Sequence, residues 1–231
     1  MKNLLKKLVR FWDEDRSLSA MMVLLFLFIF VFVPLMSVER NGQLVIKAIY
    51  SVMLLTGILS VTRTRKTLIA IAIFAIVGLL VNWASEIKPI APLLIAHDFG
   101  AMLFNLFFVA IILVKTFKNG EITYHRIVGS VVVYLMLGMV FAYMYHTVYL
   151  LAGKGSFNNI NAGNGIKEFL YFSFTSLTTM GYGDITPIHP MARSVANFEA
   201  LIGQLYPAIL IARLVSMEIE SSSRKKHDVN G

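Results

Sequence analysis

Six long apolar runs constrain the fold more than any other feature of this sequence. A helix needs about 17–25 residues to cross a bilayer, and runs of roughly that length cover residues 17–36, 43–61, 67–84, 92–116, 125–152 and 191–217. Backbone groups must be paired internally within lipid, so these runs are expected to be helical. The chain is 57% hydrophobic, above the roughly 45–50% of soluble domains. The sequence therefore predicts an all-α membrane protein with six transmembrane helices.

A shorter apolar run at residues 166–178 is too short to cross a bilayer, so it is expected to be a re-entrant helix. It leads into the loop 178–184, Thr-Thr-Met-Gly-Tyr-Gly-Asp. Gly181 and Gly183 can adopt positive φ at little cost, which lets successive carbonyls turn the same way. The hydroxyl of Thr179 adds an oxygen at the inner end of this row. One loop cannot surround a cation, so several copies around one axis would be needed.

Basic residues are distributed unequally between the two sides of these runs. With the N-terminus inside, 14 lysines and arginines lie in inner segments and five in outer segments. This bias follows the positive-inside rule. It predicts a multi-pass protein with both termini cytoplasmic and the loop 178–184 near the outer face. The absence of cysteine and the compact tail favour a prokaryotic inner membrane.

These features divide the chain into four segments. Residues 1–16 form a basic N-terminus, either an amphipathic helix on the cytoplasmic membrane surface or a frayed end. Residues 17–116 form a four-helix domain, whose first run is expected to be a retained anchor because its apolar core is too long for a signal peptide. Residues 124–217 contain the re-entrant hairpin, and 218–231 form a short cytoplasmic tail. A nucleotide-sensing regulator is expected to be a separate chain.

Composition argues against several other functions. The chain has no cysteine and its five histidines are scattered, so neither a metal site nor a cofactor is expected. The net charge of +8 is explained by the loops between apolar runs, so nucleic acid is not an expected partner. No nucleophile–base pair stands out. The rival from another class is a membrane-embedded enzyme or receptor that uses His97 and Asp98.

The fourth apolar run lacks the regularly spaced arginines that a voltage sensor needs. Its carboxylate, Asp98, is expected at a depth similar to that of Lys47 in the second run. One interpretation is that the two side chains pair. The other is that each reaches water separately.

Residues 179–183 resemble the Thr-Val-Gly-Tyr-Gly loop of potassium channel selectivity filters. Residues 124–217 resemble the pore module of that family, and 198–215 are similar to the inner helix of small prokaryotic members. The resemblance implies a homotetramer in the lipid bilayer that passes potassium passively through a pore on its four-fold axis. It also implies potassium ions in a filter formed by Thr179, Met180, Gly181, Tyr182 and Gly183, of which the first four bind the ion.

The loop departs from the family pattern. Met180 replaces the usual valine, but its carbonyl faces the ion, so selectivity is expected to survive. Thr175 stands where many members have an acidic residue that pairs with the aspartate after the filter. Asp184 therefore needs another partner, for which Tyr171 is the candidate, and Phe172 lacks the donor that often braces the filter. A weakly selective cation channel is thus the alternative within this class.

Glu199 lies within the last apolar run, where a bare carboxylate is costly. It either braces the filter, through Arg193 or a hydroxyl such as Ser173 or Ser176, or is a protonated or partnered structural residue. The residues expected to support the filter are Tyr171, Thr175, Thr178, Asp184 and Glu199.

Gly203 and Pro207 lie midway along the last run, and Pro207 leaves the carbonyl of Gly203 without its helical partner. The pair is either a gating hinge or a fixed kink that widens the cavity. One face of this helix either lines the cavity, with a constriction at its inner end, or packs against a neighbouring helix. That face is formed by Gln204, Ala208, Ile211 and Val215.

Overall fold

The computed structural model describes residues 16–36, 90–116, 124–161 and 165–230, with isolated positions between 42 and 84. The expected second and third spans lie outside the described residues, apart from those isolated positions. The segment 1–15 and Lys47 also lie outside them.

The described chain is mostly helical, with one pair of very short strands. The helices are α1 (Arg16–Leu27), a π-helical turn (Phe28–Phe32), α2 (Val33–Met36), α3 (Ala91–Thr116), α4 (Tyr124–Ala152), a 3-10 turn (Lys154–Ser156), α5 (Ile166–Leu177) and α6 (Pro190–Asn230). The strands β1 (Phe157–Asn158) and β2 (Thr186–Pro187) pair in antiparallel register.

Three helices of the described chain are long and apolar enough to cross a membrane: Ala91–Val114, Arg126–Ala152 and Pro190–Met217. They correspond to the expected fourth, fifth and sixth spans. A shorter apolar helix covers Ser19–Leu35, within the first expected span. The helical membrane architecture is confirmed at this level, while the count of six stays a prediction. Helix α6 also continues through the segment predicted to be a tail, as far as Asn230.

The π-helical turn has a local cause in the sequence. Pro34 lacks an N–H, so the carbonyl of Phe30 loses its normal helical partner. Just before this point the N–H of Val33 bonds to Phe28 O, five residues back instead of four. The wider turn lets the helix continue past the proline. Its Phe30 ring lies 5.6 Å from the ring of Phe174, so this part of the first helix packs against the short helix α5.

Helix α4 lies at the centre of the core and contacts α1, α3, α5 and α6. Its apolar side chains are buried on several sides, which explains why its sequence is hydrophobic all round. Helix α3 packs along it. The core residues that are fully buried include Phe108, Val132, Val133, Tyr145 and Phe169.

A buried carboxylate–histidine contact joins α3 to α4. Asp98 is 1% exposed. Its Oδ2 lies 2.7 Å from Nδ1 of His146, and its Oδ1 lies 3.2 Å from Nδ1 of His97. Asp98 Oδ2 and His146 Nδ1 nevertheless lack a hydrogen bond of good geometry within the described part of the chain. Lys47, the partner that the sequence suggested for Asp98, lies outside the described residues.

We expect Asp98→Ala to lower the free energy of unfolding by about 1–3 kcal/mol, because the largely buried His146 loses the carboxylate beside it. Chemical unfolding of the purified chain in detergent micelles measures this loss. Val114→Ala, at an exposed position on the same helix, is the control. Equal losses for the two variants would contradict a stabilising contact between Asp98 and His146.

Candidate functional site

The loop after α5 has an alternating backbone. Thr179, Gly181 and Gly183 have φ values of 58°, 55° and 77°, in the left-handed region. Met180 and Tyr182, which lie between them, do not. Such alternation turns successive N–H groups to one side of the chain and successive carbonyls to the other. The loop therefore presents a row of carbonyl oxygens on one side.

Left-handed φ at Thr179 was missed by the sequence prediction, which assigned this conformation to the two glycines. A residue with a Cβ pays about 1–2 kcal/mol to adopt it. No sequence pattern marks a threonine for this conformation. The conformation is set instead by contacts in the folded chain, which hold Thr179 in place.

Backbone hydrogen bonds tie the N–H side of the loop to the end of α5. Gly181 N donates to Thr175 O at 3.0 Å, and Thr179 N donates to Ser176 O at 2.9 Å. These bonds satisfy carbonyls that a helix leaves without partners at its C-terminus. Because the N–H groups point back toward α5, the carbonyl row points away from it. The hydroxyl of Thr178 adds a bond to Phe174 O at 2.6 Å.

The C-terminal turn of α5 is also held by the two long helices behind it. Tyr134 on α4 donates its hydroxyl to Leu177 O at 3.0 Å. Gly203 on α6 also approaches so closely that a Cβ there would lie 1.8 Å from the same oxygen. This gives Gly203 a packing role that the hinge interpretation did not include. Pro207 lies within the continuous helix α6.

Glu199 on α6 is fully buried and links three helices. Its Oε2 lies 2.5 Å from the hydroxyl of Tyr145 on α4, and its Oε1 lies 2.5 Å from Oγ of Ser173 on α5. The structure places Ser173 at Glu199, as one of the sequence alternatives proposed. Arg193 lies elsewhere, with its Nε donating to Pro187 O at 3.0 Å. Tyr145 was missed, because a tyrosine in an apolar helix gives no sign of its partner.

The outer end of the loop is fastened to the segment before α5. The strand pair β1–β2 joins the two segments, and Asn159 donates its Nδ2 to Asp184 O at 3.0 Å. The N–H groups of Ile188 and His189 both donate to Ser156 O. Two-residue strands are too short to show an alternating pattern in the sequence. Both ends of the carbonyl row are therefore anchored.

Tyr171 and Asp184 meet at the exposed end of the site. The tyrosine hydroxyl donates to Oδ2 of Asp184 at 2.7 Å. This hydrogen bond lowers the pKa of Asp184, because it stabilises the ionised carboxylate. It raises the pKa of Tyr171 to about 12. Thr175 makes no comparable contact, since its hydroxyl is buried and donates to Phe172 O at 2.9 Å.

Phe172, which has no donor, is instead part of an aromatic cluster. Its ring lies 4.8 Å from that of Tyr145 and 5.6 Å from that of Phe157, in edge-on contacts. Phe157 belongs to β1, so the cluster joins the outer segment to α4 and α5. At Phe172, ring packing thus takes the place of the hydrogen bond that a donor side chain would make to the loop.

Most of helix α6 is not covered by other parts of the chain. In its most apolar stretch 11% of the residues are buried, compared with 72% in the corresponding stretch of α4. Many of the outward side chains of α6 are large and apolar, and these need lipid or further protein to cover them. The four positions of the predicted cavity face are all exposed: Gln204, Ala208, Ile211 and Val215. The side chains of Met180 and Tyr182 in the loop are also exposed.

The site therefore consists of the short helix α5 between two membrane-length helices, followed by a loop with one-sided carbonyls. This arrangement is similar to the pore segment of ion channels. His97 and Asp98, the residues of the rival enzyme or receptor hypothesis, lie together with His146 where α3 meets α4. The part of the chain that the structure describes has no group of three or more acidic or histidine side chains suited to a metal ion.

Comparison with known proteins supports this class. Residues 129–220 match the sequence profile of a family described as “Ion channel”. The resemblance of this segment to the potassium channel family is thus confirmed. The family points away from an enzyme and toward a membrane protein. No solved structure matches the chain significantly.

Three curated proteins are similar to parts of the chain. Protein LctB of Bacillus caldotenax is 42% identical over 50 residues, covering 22% of this chain and 37% of its own length. Protein LctB of Geobacillus stearothermophilus is 40% identical over 57 residues, covering 23% and 42%. Two-pore potassium channel 2 of Arabidopsis thaliana is 27% identical over 96 residues, covering 42% and 20%. The chain thus spans less than half of each relative.

Gly203→Ala is expected to destabilise the protein by about 1–3 kcal/mol or more, because the new methyl group would collide with Leu177 O. Thermal unfolding in detergent measures the effect. Gly100→Ala on α3 is the matched control, since a Cβ there meets nothing within 4 Å. A variant as stable as the control, with altered channel opening alone, would favour the hinge over the packing role.

Tyr171→Phe is expected to raise the pKa of Asp184 toward its ordinary value, because the carboxylate loses its hydroxyl donor. A depressed carboxyl pKa contributes stability at neutral pH that is lost as pH falls through the folded-state value. The variant should therefore lack most of this contribution, so its stability should fall less than that of the wild type as the pH drops through this range. Carbon-13 carboxyl chemical shifts of Asp184 during an acid titration measure the change. Identical titration curves would refute the assigned cause.

Proposed function

We propose that this chain forms a potassium-selective channel that conducts the ion passively through a homotetrameric pore in the cell membrane. The observation that carries the proposal is the alternating φ at Thr179, Gly181 and Gly183, which places carbonyl oxygens on one side of the loop. A dehydrated potassium ion requires several oxygens, and one row supplies only one side of its coordination shell. Four copies around an axis would complete it.

In this proposal the ions bind the carbonyls of residues 179–182 and the hydroxyl of Thr179. Gly183 completes the filter at its outer end. The uncovered length of α6 supports an assembly, because one chain leaves the face of Gln204 and Ala208 exposed. That face would line the cavity below the filter. The similarity to a two-pore potassium channel supports potassium as the ion.

The proposal includes the orientation that the basic residues predict. Both termini are cytoplasmic, the filter lies near the outer face, and the protein is multi-pass in the inner membrane. Potassium is the transported ion, and no other cofactor is needed.

A weakly selective monovalent cation channel is the second candidate. The observation that favours it is the loss of two side-chain braces, since Phe172 has no donor and Thr175 bonds to Phe172 O. Asp184 keeps Tyr171 as its side-chain donor. A filter with fewer braces would discriminate less between potassium and sodium, because selectivity depends on how its oxygens are held.

The reversal potential separates the two candidates. Purified protein in a planar bilayer, with potassium on one side and sodium on the other, is expected to give a reversal potential close to the potassium equilibrium value. A reversal potential near zero would instead identify the weakly selective channel.

Gly181→Ala is expected to abolish the flux, because an alanine is strained at φ 55° and would displace two carbonyls of the row. Gly153→Ala is the matched control, since Gly153 has φ 86° but lies outside the filter. Flux of potassium from liposomes measures both variants. Folded wild-type protein without flux would reopen the enzyme or receptor hypothesis.

A further inference from the structure

The buried group around Glu199 contains more short polar contacts than its two hydroxyls can supply with protons. Ser173 Oγ lies 2.7 Å from Gly138 O and 2.5 Å from Oε1 of Glu199. Tyr145 OH lies 2.5 Å from Oε2 of Glu199. Each of these three contacts is at hydrogen-bond distance and therefore needs one proton between its two oxygens. The serine and tyrosine hydroxyls provide one proton each.

The third proton has one source. The carbonyl of Gly138 can only accept, so the Ser173 hydroxyl proton must point to it. Ser173 Oγ then has only lone pairs to offer to Glu199. An ionised Glu199 would place two acceptors 2.5 Å apart, which is repulsive. A protonated Glu199 donates to Ser173 Oγ and accepts from Tyr145, so every contact is satisfied.

We infer that Glu199 is protonated, and that as a neutral carboxyl it is a positioning residue that ties α4 and α6 to the helix α5 behind the filter. The chain of donors runs from Tyr145 through Glu199 and Ser173 to Gly138 O. Its member on α5, Ser173, lies four residues before Leu177, whose carbonyl accepts a hydrogen bond from the hydroxyl of Tyr134. The effect of Glu199 on ion flux depends on the proposed function, whereas its inferred protonation state does not.

The surroundings of Glu199 favour the neutral form. It is fully buried, and no cation among the described residues forms an ion pair with it. The other titratable groups that face it are Tyr134 and Tyr145, both from α4, and α5 contributes the neutral hydroxyl of Ser173. An unpaired buried carboxylate is costly, and a hydrogen-bonded carboxyl avoids that cost. Removal of the proton at alkaline pH would break the link to Ser173 and leave a bare charge behind the filter.

Infrared spectroscopy tests the protonation state directly. The full chain, labelled with carbon-13 at the glutamate carboxyls and reconstituted in liposomes, is expected to show a protonated-carboxyl C=O band at neutral pH that Glu199→Gln removes. Glu168→Gln, on α5 in the same labelled set, should leave the band in place. A wild-type spectrum without a band that depends on Glu199 would overturn the inference.

Ion selectivity tests the positioning role. Glu199→Gln keeps an acceptor for Tyr145 and a donor for Ser173, so it should retain the permeability ratio of potassium to sodium within about twofold. Glu199→Ala leaves the buried Tyr145 hydroxyl without its acceptor and Ser173 Oγ without its donor, and it should lower that ratio about tenfold. Raising the pH should lower the ratio in the wild type and leave it unchanged in Glu199→Gln.

The outcomes separate the two proposals. A Glu199→Gln variant as impaired as Glu199→Ala would show that the carboxylate is required and would overturn the neutral assignment. A wild-type band together with folded protein that carries no potassium flux would support the assignment and reject the proposed function. If Glu199→Ala does not fold, the infrared comparison and the pH profile of Glu199→Gln still decide the question.

Discussion

The C-terminal turn of α5 positions the loop that follows it, because its carbonyls accept hydrogen bonds from the first N–H groups of the loop. Thr175 O and Ser176 O hold Gly181 and Thr179. Leu177 O is in turn held by Tyr134 and confined by Gly203. The position of the carbonyl row thus depends on the C-terminal end of α5, which contacts from α4 and α6 hold in place. A small shift of that end would move all the oxygens of the row together.

The strain at Thr179 is consistent with this arrangement. A non-glycine residue in the left-handed region persists only where its surroundings determine the conformation. Here hydrogen bonds to α5 hold the inner end of the loop, and the β1–β2 pair with Asn159 holds the outer end. The loop is short, so both anchors act within a few residues of Thr179. This rigidity suits a site in which fixed oxygens replace the hydration shell of an ion.

The first helical part of the chain contacts α5 through aromatic packing and a carboxylate–histidine contact. Asp98 on α3 lies beside His146 on α4, and the ring of His146 lies 5.1 Å from that of Phe169 on α5. Phe30, in the π-helical turn, reaches Phe174 on the same helix. Helices outside the segment that matches the ion channel family therefore have a physical route to the helix that precedes the loop.

The sequence alone determined the membrane-length helices of the described chain, the short apolar helix α5 and the loop after it, because apolar length and glycine placement are local properties. It also indicated Tyr171 for Asp184 and Ser173 for Glu199 among its alternatives. Tyr145, Tyr134, His146 and the close approach of Gly203 were decided only by the tertiary structure. These contacts join residues far apart in the chain, and a tyrosine or glycine in an apolar helix has the same local pattern whichever neighbour it meets. Left-handed φ at Thr179 belongs to the same group, since hydrogen bonds from a folded neighbour impose it against the residue's own preference.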